Sequence, residues 1–147
     1  MPVLKTFYST LIATAAAGVM ATGLALPAFA QSGNFGLELN AARDVGEGCR
    51  LTYVATNNTG EGLEKASYEV AVFDQDGVVS RLLILEFGQL QADKTKVVQF
   101  DLSDMACSDI SRLLVNSVSE CVGAEGTSPD CMEGLTTSSR AEIQFGL

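Results

Sequence analysis

The chain has 147 residues, 9 of them Lys or Arg and 18 Asp or Glu, for a formal net charge of −9, with four cysteines and no histidine or tryptophan. An acidic chain without a basic patch has no electrostatic footprint for nucleic acid or an anionic membrane surface. The missing histidine removes Ser-His-Asp and Cys-His nucleophile systems in their usual form, and with them the commonest transition-metal ligand.

Residues 1–30 read as an export signal rather than as part of a fold. Lys5 supplies a basic start, Leu11 to Leu26 is an apolar, alanine-rich run, and Pro27 precedes the small-x-small site Ala28-Phe29-Ala30. Leu11 to Leu26 is short of the roughly 20 residues a membrane span needs. No Arg-Arg pair precedes it, which points to Sec export, and no cysteine stands near the cleavage site to carry a lipid. Cleavage after Ala30 is expected to leave one domain over 31–147, in the periplasm or secreted, with no membrane contact. Loss of Lys5 leaves eight basic against 18 acidic residues, a net charge of −10.

From there the period is two. Phe35, Leu37 and Leu39 alternate with Gly36 and Glu38; Cys49, Leu51, Tyr53 and Ala55 alternate with Arg50, Thr52 and Thr56. The same alternation runs through Tyr68, Val70 and Val72, through Val98, Phe100 and Leu102, and through Ala141, Ile143 and Phe145. Such alternation marks half-buried strands. Leu113 to Val118 is a further strand. Val78 to Phe87 is apolar on both faces around Leu82-Leu83-Ile84-Leu85, so it is either a strand covered twice or part of an interface. Gly46-Glu47-Gly48, Asn57-Asn58-Thr59-Gly60, Asp74-Gln75-Asp76-Gly77 and Gln91-Ala92-Asp93 supply the turns. About seven strands at this spacing predict an all-β, antiparallel sandwich of the immunoglobulin-like kind. Residues 122–136 form its longest loop.

An even cysteine count in an exported chain reads as a disulfide framework. A zinc site would want close Cys pairs, usually with histidine. In an up-and-down strand order successive turns lie at opposite ends. Cys49 opens the second strand and Cys107 lies between the fifth and sixth, which places both at one end. Cys121 closes the sixth strand and Cys131 follows in the next loop, at the other end. The expected pairs are Cys49–Cys107 and Cys121–Cys131.

The stretch Leu51-Thr52-Tyr53, then Tyr68-Glu69-Val70-Ala71-Val72-Phe73-Asp74 and Gly77-Val78-Val79, resembles the small FxLYD-like, immunoglobulin-like sandwich domains of bacterial envelopes. The chain from residue 31 onward is also similar to an uncharacterised family of small exported Gram-negative proteins often labelled Tat-signal proteins. Both resemblances imply a fold and a compartment, and neither implies a catalytic residue or a cofactor.

The chemistry-bearing motifs are few. No Gly-rich phosphate loop is present. Paired carboxylates for glycoside hydrolysis lack the aromatic platforms that usually hold a sugar. Asp74-Gln75-Asp76-Gly77 resembles the opening of a calcium loop, without its third ligand and closing Glu. Asn57-Asn58-Thr59 has the form of a glycosylation sequon. If Tyr68, Val70 and Val72 point inward, Ala71 and Phe73 point out. If Leu113 and Val115 point inward, Arg112, Leu114 and Val118 point out. Phe73, Leu114 and Val118 are then expected to form an exposed apolar patch beside Arg112 and Arg140. The function expected is a non-catalytic envelope module that binds another envelope protein or itself, with no cofactor. A small-ligand or Ca²⁺-binding module using the acidic turns is the alternative.

Overall fold

The computed structural model describes residues 35–147; the signal read over 1–30, its cleavage site and residues 31–34 lie outside the described residues. The strands are β1 (Phe35–Val45), β2 (Gly48–Asn57), β3 (Leu63–Phe73), β4 (Val79–Glu86), β5 (Lys94–Leu102), β6 (Arg112–Gly123), β7 (Thr136–Ser139) and β8 (Gln144–Gly146). They form two four-stranded sheets, ordered β5-β2-β1-β7 and β4-β3-β6-β8. Helix is confined to single 3-10 turns at Cys107–Asp109 and Ala124–Gly126 among the described residues. The chain is an all-β sandwich.

The alternation in the sequence is the alternation of burial. Along β2, Cys49, Leu51, Tyr53, Ala55 and Asn57 are buried and the residues between them are half-exposed. Six aromatic rings weld the sheets together. Tyr53 lies 5.7 Å from Phe87, 5.9 Å from Phe100 and 5.2 Å from Phe145. Tyr68 extends the cluster to Phe87 and Phe35, at 6.1 and 5.9 Å. Phe35 and Tyr68 are stacked and the other pairs are edge-to-face; aromatic pairs of either kind add about 0.5–1.5 kcal/mol each beyond the area they bury.

Turn chemistry acts as the sequence suggests. Gly77, at φ +77°, closes the β3–β4 turn, and a Cβ at Gly48 would lie 2.5 Å from the Leu102 carbonyl oxygen. Asn57 does more than turn the chain. Its amide donates to the carbonyls of Glu61 (2.7 Å) and Leu90 (3.1 Å), and its Oδ1 accepts from the Thr59 N–H and hydroxyl. The sequon-like triplet is therefore built around a buried, satisfied asparagine.

The final strand departs from expectation. Instead of one antiparallel strand over Ala141–Phe145, the chain makes two short ones. β7 runs parallel to β1 and β8 runs parallel to β6. The cause lies upstream. Cys121–Cys131 keeps the loop after β6 at the pole where β6 ends, so the chain leaves that pole beside β1 rather than folding back on β6. It then changes sheets at residues 140–143, where the Ser139 hydroxyl closes the crossing by donating to the Ile143 carbonyl at 2.6 Å. Buried Leu135 and Ile143 pin either side of this excursion.

Both disulfides pair as the strand order requires. Cys49–Cys107 spans 58 residues with Cα atoms 4.8 Å apart, and Cys121–Cys131 spans 10 with Cα atoms 6.0 Å apart. In the chain-entropy picture the long loop contributes about 4 kcal/mol and the short one about 2.5 kcal/mol. The double variant Cys49→Ala/Cys107→Ala should therefore lose more stability in urea than Cys121→Ala/Cys131→Ala. The reverse order would show that the bridges act mainly through the folded state.

The two core tyrosines make a second test. The Tyr68 hydroxyl donates to the Cys131 carbonyl at 2.9 Å, whereas the buried Tyr53 hydroxyl has no hydrogen-bond partner among the described residues. Tyr68→Phe should cost about 1 kcal/mol, because the Cys131 carbonyl stays buried and loses its donor. Tyr53→Phe should be neutral or mildly stabilising. Denaturation midpoints of both variants check the contrast.

Candidate interaction surface

The outer face of the β4-β3-β6-β8 sheet can be read rung by rung from its register. Val79 stands opposite Phe73, which stands opposite Arg112; Leu82 opposite Ala71, which faces Leu114; Ile84 opposite Glu69, which faces Ser117. Phe73 is the one aromatic ring among the described residues that stays out of the core cluster. The Arg112 guanidinium carbon sits 4.1 Å from its ring centroid, a cation–π contact. Leu114 lies beside it, half-buried over Ala71.

Three of the five residues expected on this surface, Phe73, Arg112 and Leu114, therefore share it. The other two do not. Val118 packs against the core because β6 carries an extra residue at Asn116: Val115 pairs Val70, but Ser117 pairs Glu69 and Val118 pairs the buried Tyr68. A bulge of one residue reverses which side chains face in, so the simple alternation from Leu113 fails beyond it. Arg140 belongs to the other sheet. Its N–H donates to the Leu39 carbonyl and its Nε to Glu38 Oε1, both at 2.9 Å, so β7 and β1 claim it.

The residues missed are on β4. Val79, Leu82 and Ile84 are 48%, 57% and 51% exposed, while Leu83 and Leu85 of the same strand face the core. The signal was present as the apolar run Val78 to Phe87. Periodicity does not reveal whether the second face of such a strand is covered. Among the described residues it is bare, and β4 is also a sheet edge. The surface is a stripe of Val79, Leu82, Ile84, Phe73 and Leu114, bounded by Arg112 at one end and by Glu69, in the middle of β3, at the other. Glu69 accepts a short hydrogen bond from the Asn116 amide.

The acidic turn is occupied by its own backbone. Asp74 Oδ1 accepts from the N–H groups of Asp76 (3.0 Å) and Val78 (2.9 Å), which is an Asx turn. Among the described residues no group of three or more His, Cys, Asp or Glu side chains converges on a metal position. An open groove of about 950 Å³ lies at the pole where the chain changes sheets, lined by Asp44, Gln75, Ser111, Glu142, Ile143 and Gln144 among others. Asp44 is engaged there, accepting the Cys107 N–H at 2.7 Å.

Among the described residues no helix is long and apolar enough to cross a membrane. No protein-family model, no curated protein and no solved structure matches the chain.

The charged surface fixes a pH response. A fork of hydrogen bonds from Arg50 at 2.6 and 2.7 Å holds the Asp101 carboxyl below its ordinary range. The Asn40 amide and then Arg140 do the same for Glu38, and the backbone N–H groups of Glu133 and Met132 for Asp130. Burial pushes the Tyr53 and Tyr68 hydroxyls above the usual tyrosine range. A carboxyl depressed in the folded state stabilises above its unfolded pKa, and that contribution is lost as pH falls through the folded value. A raised tyrosine costs stability once pH passes the unfolded tyrosine value of about 10. With no histidine to titrate in between, the thermal midpoint should be flat from about pH 6 to 8 and fall on both outer sides. A step near pH 6.5 would contradict this assignment of charges.

Proposed function

We propose that this chain is a non-catalytic interaction module of the bacterial cell envelope, exported through its N-terminal signal and oxidised to its two disulfides, and that it docks another envelope protein or a second copy of itself on the outer face of β4, β3 and β6. The observation that carries the reading is the conjunction on β4: Leu82 and Ile84 are more than half exposed on a strand whose outer edge has no neighbour among the described residues. Solitary surface leucines are ordinary, but an apolar stripe continuous with an open backbone edge offers both contact area and hydrogen-bonding groups to a partner. Arg112 on Phe73 and the Asn116–Glu69 bond stiffen the floor of the stripe, so little ordering is left to be done on binding. An export signal and disulfides suit a compartment where thiols are oxidised.

The test is retention of envelope proteins on the immobilised, oxidised chain. Leu82→Lys and Ile84→Lys should abolish retention while leaving the melting curve unchanged. Val97→Lys, on the 62% exposed Val97 of the opposite sheet, should not alter it. Equal retention by all three variants would sink the proposal.

A further inference from the structure

We infer that the partner taken by the β4 edge is a second copy of this chain, paired β4 to β4 in antiparallel, two-fold fashion so that two four-stranded sheets become one continuous sheet. This rests on the docking face just proposed and names its occupant.

The sheets end at β5, β7, β4 and β8. β7 and β8 have 4 and 3 residues, too short to template a stable pairing. β5 is long but carries Lys94, Lys96 and Asp101, and charged side chains on an edge are the usual guard against pairing with another chain. β4 has 8 residues, no proline, and only Arg81 and Glu86 charged. Its bulge, at Ser80, lies near its start and leaves the remainder regular. The unguarded edge is therefore the one that also bears the apolar stripe.

Self-complementarity decides between a second copy and an unrelated strand. In a two-fold antiparallel pair, directly opposed residues must share a face, so the axis passes through a residue rather than between two. Centred on Leu83, the pairing sets Leu82 of each copy against Ile84 of the other, giving two apolar cross-strand pairs from four exposed side chains. Ser80 then faces Glu86 on the outer side, and Arg81 faces Leu85 on the core side. No like charges are opposed. The polarity of the outer face agrees: Arg112 lies toward one pole, Glu69 and Glu86 toward the other, and the two-fold operation turns the basic end of each copy toward the acidic end of the other. Over the whole molecule the formal charge is −9, so two copies repel at long range and meet most readily where acidic side chains are sparse. Raising ionic strength should tighten this dimer, because screening removes the long-range repulsion and leaves the apolar contact.

Sedimentation velocity on the oxidised chain, over rising concentration at low and high salt, is the test. The expected result is a reversible monomer–dimer equilibrium that strengthens with salt, weakens at least about tenfold in Ile84→Lys or Leu82→Lys, and is unchanged in Val97→Lys. Register is read separately by mixing copies. A Leu82→Cys chain and an Ile84→Cys chain should cross-link to each other far faster than either does to itself. A chain that stays monomeric at every concentration and salt, or a dimer indifferent to Ile84→Lys, overturns the inference. If the monomeric chain still retains a different envelope protein through Leu82 and Ile84, the docking face stands and only its occupant was misassigned. If it retains nothing, both fall.

Discussion

The two sheets of this sandwich are held to one another at Tyr53. Its ring, from the middle of β2, touches Phe100 of its own sheet and reaches across the core to Phe87 and Phe145 of the other. The chain has no tryptophan, and Phe87 answers Tyr53 from the other side, touching Tyr53 and Phe100 across the gap. Each strand must turn its face so as to feed this cluster, and that requirement sets the parity of the rest. β8 illustrates the point: three residues make a poor strand by themselves, yet Phe145 at the centre anchors them beside β6. Phe73, the ring left over, lies one residue past the last inward position of β3 and so falls on the outside, under Arg112.

Much of this was legible because burial on one face of a strand writes itself into the sequence with a period of two. The disulfide pairing was legible for a different reason. It depends on which pole a cysteine occupies, and a pole survives errors of one residue. Facing does not. Val118 went wrong because nothing in Leu113 to Val118 announces the extra residue at Asn116, which is fixed by pairing with β3. β7 was invisible since Thr136-Thr137-Ser138-Ser139 has no apolar member; it is a strand only because β1 offers an edge and Leu135 holds its start. Arg140 was placed with the wrong sheet as a consequence, the change of sheets coming where one continuous strand was read. The candidate surface was half legible. Its β3 and β6 members follow from alternation, while the exposure of Leu82 and Ile84 depends on what does not cover them, a fact about the assembled sandwich and not about the strand.

The polar features that invite a functional reading mostly resolve into local structure. Asp74 is spent on its own turn, Asn57 on the loop between β2 and β3, and Asp44 on the Cys107 backbone. Such side chains stand in for backbone partners where the ladder stops, and the chain uses them at several of its connections. What is left without an internal purpose is apolar, on β4.

The division of the last strand between two sheets has a consequence for the order in which the molecule is made. Gly36, near the start of β1, pairs with Thr136, a hundred positions later. Neither sheet has its final edge, and Tyr53 lacks Phe145, until the last dozen residues are free to move. Contacts that join the two ends of a chain delay its collapse into native form, since the loop between them must be closed first. A polypeptide of this design cannot complete either sheet before its tail arrives, so its two ends must meet before the native form is whole.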